Sequence, residues 1–195
     1  MRLTCLRHGI TTDNIAHRFN GHRNDSLTSE QAVELARIRF DHSPYDLMYS
    51  SPLRRCIETA RCLGIETFVE DARLMERNLG IFEGLTNAEC EERHAEAFAA
   101  FRKFDSDYRI PGGESRAEHL ARTLSWLDDI AVNSNVLAIA HGGTLDFLYR
   151  MATGHALHGP GGGFGIFGTA NATLSVFEIN GASVELIEWG TPLRR

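Results

Sequence analysis

Two short segments carry the residues best suited to chemistry. Leu6-Arg7-His8-Gly9 closes the first apolar run of the chain, and Ala140-His141-Gly142-Gly143 closes a later one. Each run reads as a strand, and in open α/β sheets ligands bind in the crevice at the carboxyl ends of the strands. Two histidines delivered there, each followed by a glycine that lets the backbone turn tightly, can face one another across one site. Either alone reads as an ordinary turn histidine; the repetition points to a site. Arg55 gives the site a charge preference. It falls in the first turns of a helix after Ser51-Pro52, where unpaired N–H groups and the helix dipole favour an anion. Arg54 stands one helical turn before Glu58 and reads instead as half of a surface pair worth roughly a few tenths of a kcal/mol. Arg7, Arg55, His8 and His141 converging on a helix start describe a phosphate site better than a carboxylate site.

The elements that must position these residues follow from patterning. Leu3 to Leu6 predicts a strand, followed by a polar stretch. Thr28 with Gln31 three residues on is a capping-box signature, and Val33, Leu35, Ala36 and Phe40 continue at roughly helical spacing. Tyr45 to Tyr49 predicts the next strand. Ser51 as N-cap with Pro52 at the first helical position predicts a helix to about Cys62. Residues 66–70 read as a third strand. Thr86 with Glu89 opens a helix expected to reach Phe104, and Pro111-Gly112-Gly113 breaks the chain before a helix from Ser115 to about Ala131. The uninterrupted apolar run at 136–140 is the kind buried on both faces of a parallel sheet. A helix with Leu145, Leu148 and Met151 follows, and 173–179 and 183–189 read as a hairpin around Asn180-Gly181-Ala182. This alternation predicts an α/β protein, a three-layer α/β/α sandwich on a largely parallel central sheet, with residues 1–195 as a single domain. The glycine-rich stretch 159–168 reads as a flexible loop, or more sharply as a flap over a pocket.

A chain of 195 residues with 43% hydrophobic and 24% charged content is ordinary for a soluble globular protein. Its net charge of −6 argues against a general affinity for nucleic acid or an anionic membrane, but not against a small anion held by a local arginine cluster. No apolar run approaches a membrane span. The four cysteines form no CxxC pair and are expected to be reduced and buried. With no leader-like segment ahead of Leu3, the expected location is cytoplasmic.

The segments LRHGITTDN, SSPLRRCIETA, MERNLGIFEG, PGGES and AIAHGGT, in that order from residue 3 to about 150, resemble the successive signatures of the histidine phosphatase superfamily, the phosphoglycerate mutase-like family. The resemblance implies roles by position. His8 becomes the nucleophile that forms a phosphohistidine, and Arg7, Arg55 and His141 hold the phosphoryl group. Asn14 helps bind it, and Glu76 is the proton donor and acceptor. Cys56 stands where alanine is usual. The residues alone leave Glu76 and Glu83 unranked; the family pattern selects Glu76. Asn20, Gly21, His22, Leu79 and Gly142 fall on the substrate side. No metal and no cofactor are implied, because the arginines stabilise the charge that a metal handles elsewhere. Ser115 reads as a helix cap and Glu114 as the partner of a basic neighbour.

Three rivals are weighed against a phosphatase. A mutase of the same family carries a tyrosine three residues after the acid, where this chain has Leu79, and a longer basic insertion, where it offers mainly Arg93, Arg102, Lys103 and Arg109 amid glutamates. Both departures favour hydrolysis. A non-catalytic phospho-ligand binding protein is disfavoured because His8 and Glu76 are both kept. A metalloenzyme built on His155-x-x-His158 lacks a nearby Asp, Glu or Cys to complete the site. PGGES and HGGTLDFL resemble the α-ribazole phosphate and broad-specificity phosphatases, and Leu79 with Phe82 suggests a partly apolar mouth. The expected partner is a small-molecule phosphate monoester, and the edge of the closing hairpin leaves a homodimer open.

Overall fold

The computed structural model describes residues 1–130, 133–157 and 168–193. Among them, six strands form one sheet in the order β3-β2-β4-β1-β5-β6. The strands are β1 (Arg2–Arg7), β2 (Leu47–Ser50), β3 (Val69–Glu70), β4 (Asn135–Ala140), β5 (Thr173–Asn180) and β6 (Ser183–Pro192). The first four are mutually parallel, β5 runs antiparallel to β1, and β6, antiparallel to β5, returns to the direction of the first four. The sheet is therefore mixed, with its parallel part holding the two histidine-bearing strands side by side.

Strand alternation divides the core between the two faces. Leu3, Cys5, Val136, Ala138 and Ala140 meet Trp126 of α6 (Arg116–Asp128) and Leu145 and Leu148 of α7 (Gly142–Thr153). Leu6, Leu137 and Ile139 turn the other way, onto Leu35 of α2 (Ser29–Ala36) and Cys56 and Ala60 of α3 (Arg54–Cys62). These are the three layers expected. A third cluster, Leu79, Phe82, Cys90, Phe98, Phe101 and Ile110, lies around α4 (Asn87–Arg93) and α5 (Ala95–Phe101). Phe19 packs its ring against Phe82, Phe98 and Phe101, anchoring the residues that follow it.

Several local expectations need correction. The polar stretch after β1 contains a short helix, α1 (Thr12–Ile15), closed by a capping box in which Asn14 supplies the returning side chain. Helix α2 ends at Ala36 and does not reach Phe40. Ser51 is not the cap of α3, which begins at Arg54 with Leu53 as a cap that makes no side-chain bond. The N–H of Ser51 bonds Ile139 O, so Ser51 still extends the sheet when the cap position comes due. The helix expected over 86–104 breaks at His94 (φ −140°, ψ 43°) into α4 and α5. Cys5, Cys56 and Cys90 are buried, whereas Cys62 is only partly so. Thr86 and Ser115 form full capping boxes, whereas Thr28 accepts from Gln31 N but gets no bond in return, because Gln31 Oε1 accepts from Ile10 N. No described helix is long and apolar enough to cross a membrane.

Candidate active site

The pairing of β1 with β4 sets Arg7 opposite Ala140, so His8 and His141 leave the sheet side by side. The N–H of His8 continues the ladder to Ala140 O at 3.1 Å, and the two imidazoles stand 5.1 Å apart at 58°. His8 Nδ1 lies 2.7 Å from Gly9 O. A carbonyl only accepts, so Nδ1 carries the proton and Nε2 keeps the lone pair. Burial holds the His8 pKa well below its ordinary value, with the Arg55 and Arg7 charges adding to the effect. His8 is neutral at pH 7.

Arg55 is fully buried. Its Nη1 and Nη2 donate to Arg23 O and Gly21 O, each at 2.9 Å, and its Nε donates to His141 Nδ1 at 3.3 Å. His141 therefore carries its proton on Nε2, 2.8 Å from Ser51 Oγ. Cys56 Sγ sits 3.4 Å from the same nitrogen, and burial pushes its thiol up to about 12, so it stays protonated. Arg7 donates to Thr169 O and lies against Gly142, where an added Cβ would sit 3.6 Å from its Cζ. Arg54 pairs with Glu58 at 3.0 Å, as its spacing predicted.

Helix α7 supplies the opposite wall. Its cap residue is His141, whose side chain makes no capping bond, which leaves first-turn amides for other acceptors. Gly143 N donates to Glu76 Oε2 at 3.1 Å, and Arg77 N donates to Glu76 Oε1 at 2.8 Å. A side chain at Gly143 would collide with Glu76 and His119. The structure also separates the two glutamates. Glu83 Oε1 accepts from His22 N and Leu79 N, at 2.7 and 3.0 Å, and so serves to tie two loops together. Gly21, at φ +49°, is pressed against that carboxylate. Glu114 accepts from Arg122 Nη2 at 2.6 Å and from Asn78 N at 2.9 Å.

Asn14 Oδ1 accepts from Thr11 N at 3.1 Å, and Asn20 Nδ2 donates to Thr11 Oγ1 at 3.2 Å. Asn20 Oδ1 is buried with no partner among the described residues. His22 directs Nε2 to Glu76 O at 2.8 Å. Leu79 and Phe82 are 2% and 0% exposed within the aromatic cluster, so the expected apolar mouth loses its basis. Their side chains pack the lobe instead. Among the described residues, no three or more His, Cys, Asp or Glu side chains are grouped to hold a metal ion. His155 Nδ1 meets Thr153 Oγ1 at 2.8 Å, while His158 and all of 159–168 except Gly168 lie outside the described residues.

Sequence reasoning missed several supports. Thr59 Oγ1 accepts from Gly9 N at 2.9 Å and donates to Arg55 O at 2.6 Å, coupling the His8-Gly9 turn to α3. Its signal was its place one helical turn after Arg55. Arg122 donates to Arg73 O, Met75 O and Glu76 O, at 2.7, 2.6 and 2.8 Å, and pins the backbone at Glu76. His119 places Nδ1 4.0 Å from Glu76 Oε1, and Asn171 reaches the His8 turn; neither left a local signal.

A pH dependence of stability follows from three of these side chains. His8, His119 and His141 are all buried, and burial is the first cause of a pKa held well below the ordinary value in each. Below about pH 6.5 the unfolded chain binds protons at these positions while the native state does not. Stability is thus fully present above that pH and lost as pH falls, by up to about 1.4 kcal/mol per unit for each histidine. The urea midpoint should drop steeply between about pH 6.5 and 5, and His119→Phe should flatten the slope by about a third. A midpoint constant over that range would show that these rings ionise inside the fold.

Two parallel strands and one helix start here converge on a space framed by guanidinium and amide donors with a neutral imidazole at its base. The fold and site define an α/β protein whose donors suit a small anion such as a phosphoryl group. The chain belongs to the histidine phosphatase superfamily, branch 1, whose family model matches residues 3–192. It is 34% identical over 163 residues to a metal-independent phosphoserine phosphatase of Arabidopsis thaliana, covering 77% of this chain and 68% of that one. A mycobacterial glucosyl-3-phosphoglycerate phosphatase, solved as a complex with VO3, superposes with a TM-score of 0.76 at 30% identity, covering 97% of this chain and 98% of that one. The α-ribazole phosphatase of Shigella flexneri gives a TM-score of 0.84 at 22% identity over 100% and 99% of the two chains, a likeness of fold.

Proposed function

We propose that this chain hydrolyses phosphate monoesters of small metabolites, without a metal, through a phosphohistidine on His8. The observation that carries the reading is the His8 Nδ1 to Gly9 O bond, which leaves Nε2 as the nucleophilic nitrogen beside two guanidiniums. Nε2 attacks phosphorus in line and the bond to the ester oxygen breaks. Glu76 gives its proton to the departing alkoxide, then takes one from the water that cleaves the P–N bond and releases inorganic phosphate. Arg7, Arg55, Asn14 and the first amides of α7 at Gly142 stabilise the non-bridging oxygens. His141 holds Arg55 before substrate arrives. Because the Ser51 hydroxyl can donate as readily as it accepts, His141 can move its proton to Nδ1 and donate to the phosphoryl group once Arg55 Nε turns to the anion.

Asn20 and Gly21 lie where the leaving group departs, and the unpartnered Asn20 Oδ1 suits a hydroxyl or ammonium donor on it. Two relatives named for phosphoserine and glucosyl-3-phosphoglycerate phosphatase activity support a small phosphorylated substrate. Hydrolysis is favoured over mutase chemistry because Arg102 and Arg109, which would hold a second anionic group, pair with Glu91 and Glu118 at 2.7 and 2.8 Å.

The test is p-nitrophenyl phosphate hydrolysis in excess EDTA, followed by rapid quenching of a radiolabelled monoester. Full activity in EDTA and a protein-bound label stable to alkali but lost in acid are expected. Activity removed by EDTA, or a label stable in acid, would overturn the reading.

A further inference from the structure

The segment before β5 lies along the nucleophile turn. Ala172 N donates to Arg7 O and His8 O, each at 3.1 Å, and Thr169 O receives Arg7. Between them Asn171 directs one amide nitrogen into the turn. Its Nδ2 lies 3.0 Å from His8 O, 3.3 Å from Gly9 O and 3.2 Å from Asn14 Oδ1. These three partners are acceptors, so only the NH2 end of the amide can face them; His8 Nδ1 stands farther from the same nitrogen, at 3.5 Å, with Gly9 O nearer to it at 2.7 Å. The next residue, Ala172, sits at φ +55°, a left-handed conformation that a residue with a Cβ holds only where its surroundings impose it.

Each of these contacts reaches a group with a place in the chemistry. Gly9 O is the carbonyl that fixes the proton on His8 Nδ1, and Asn14 Oδ1 is the end of that amide which must face away from an anion. We infer that Asn171 is a positioning residue that sets both the tautomer of His8 and the orientation of Asn14. It pins the Gly9 peptide so that its carbonyl keeps the His8 proton on Nδ1. It also occupies Asn14 Oδ1, together with Thr11 N, so that the Asn14 NH2 is turned to the phosphoryl oxygens. Without it, the Gly9 carbonyl drifts from the ring, Nε2–H becomes competitive, and Asn14 can present its oxygen to the anion.

This inference rests on the phosphohistidine reading for its kinetic consequence, but not for its first measurement. Nitrogen NMR of protein labelled at the histidine ring nitrogens reads the His8 tautomer directly. Wild type should show a protonated Nδ1, and Asn171→Ala a mixture of tautomers. In kinetics, Asn171→Ala should lower kcat by about 10–100-fold, the usual cost of losing a partner that orients a functional histidine. Asn171→Asp keeps the size but faces three acceptors with a fourth, so it should lose more than the alanine variant. A residue that merely filled space would reverse that order. On an Asn14→Ala background, Asn171→Ala should cost clearly less than it does alone.

An unchanged His8 tautomer in Asn171→Ala, or losses that simply multiply with Asn14→Ala, would overturn the inference. If Asn171→Ala fails to fold, Asn171→Asp carries the same measurements. A wild type inactive on every monoester, but with the tautomer shifting as described, would fail the phosphatase reading and leave the positioning role standing.

Discussion

Replacing His8 with alanine should lower kcat/KM on p-nitrophenyl phosphate by about 10⁴-fold or more, the scale on which nucleophiles that act within a unit are lost. The loss should fall on kcat, because Arg7, Arg55 and the start of α7 remain to bind the phosphoryl group. Vanadate should therefore still inhibit or protect the variant. Circular dichroism should report an unchanged sheet, since the β1 ladder ends through backbone atoms, with His8 N on Ala140 O. No other described nucleophile competes for the role. Cys56 is a buried thiol with its pKa pushed up to about 12, and Ser51 has its hydroxyl committed to His141. Activity within tenfold of wild type would place the nucleophile elsewhere.

The second large effect separates the two steps assigned to Glu76. In Glu76→Gln the phosphorylation step should survive for p-nitrophenyl phosphate, whose leaving group departs without a proton. Cleavage of the phosphohistidine should slow, because its water has lost its base. The result is a burst of nitrophenolate equal to the enzyme present, followed by turnover slower by about 10²–10⁴-fold. With an alkyl phosphate both steps need the carboxyl group, and the burst should vanish. Glutamine keeps an oxygen for Gly143 N–H and so its place against α7, at the loss of the bond from Arg77 N–H. Equal losses on both substrates with no burst would remove Glu76 from proton transfer. Glu83→Ala, by contrast, should lower the urea midpoint, since it removes the oxygen that joins the backbones of His22 and Leu79.

What could be read in advance was what the chain writes locally. The two strand-His-Gly ends, the caps at Thr28, Thr86 and Ser115, and the Arg54–Glu58 spacing each depend on residues within a few positions of one another, and each is present. The start of α3 was misread because Ser51 obeys a long-range bond to Ile139 in place of its local capping preference. The break at His94 escaped notice because nothing in its own segment forbids a helix there. Leu79 and Phe82 looked like a mouth only while the ring cluster around Phe98 and Phe101 was unknown. Asn171, His119 and Gly143 lie far along the chain from the groups they touch, and no periodicity marks such a contact. The motifs marked residues that the fold brings together; the side chains that hold those residues in place became visible only in three dimensions.

The position of β1 also governs when the protein can come into being. The first strand made is an inner strand of the sheet, flanked by β4 and β5, both from the last third of the chain. During synthesis it must wait, with both edges unpaired, for roughly 130 further residues, on the order of ten seconds or more at ordinary rates of elongation. Arg7 and His8 exist as amino acids throughout that interval, but the ladder that aims them does not. The enzyme therefore has no partly active nascent form. Loss of a C-terminal segment reaching into β5 would be felt first at the Arg7-His8 end of β1, and an Arg2–Arg7 strand left waiting is where a chaperone would have most to protect.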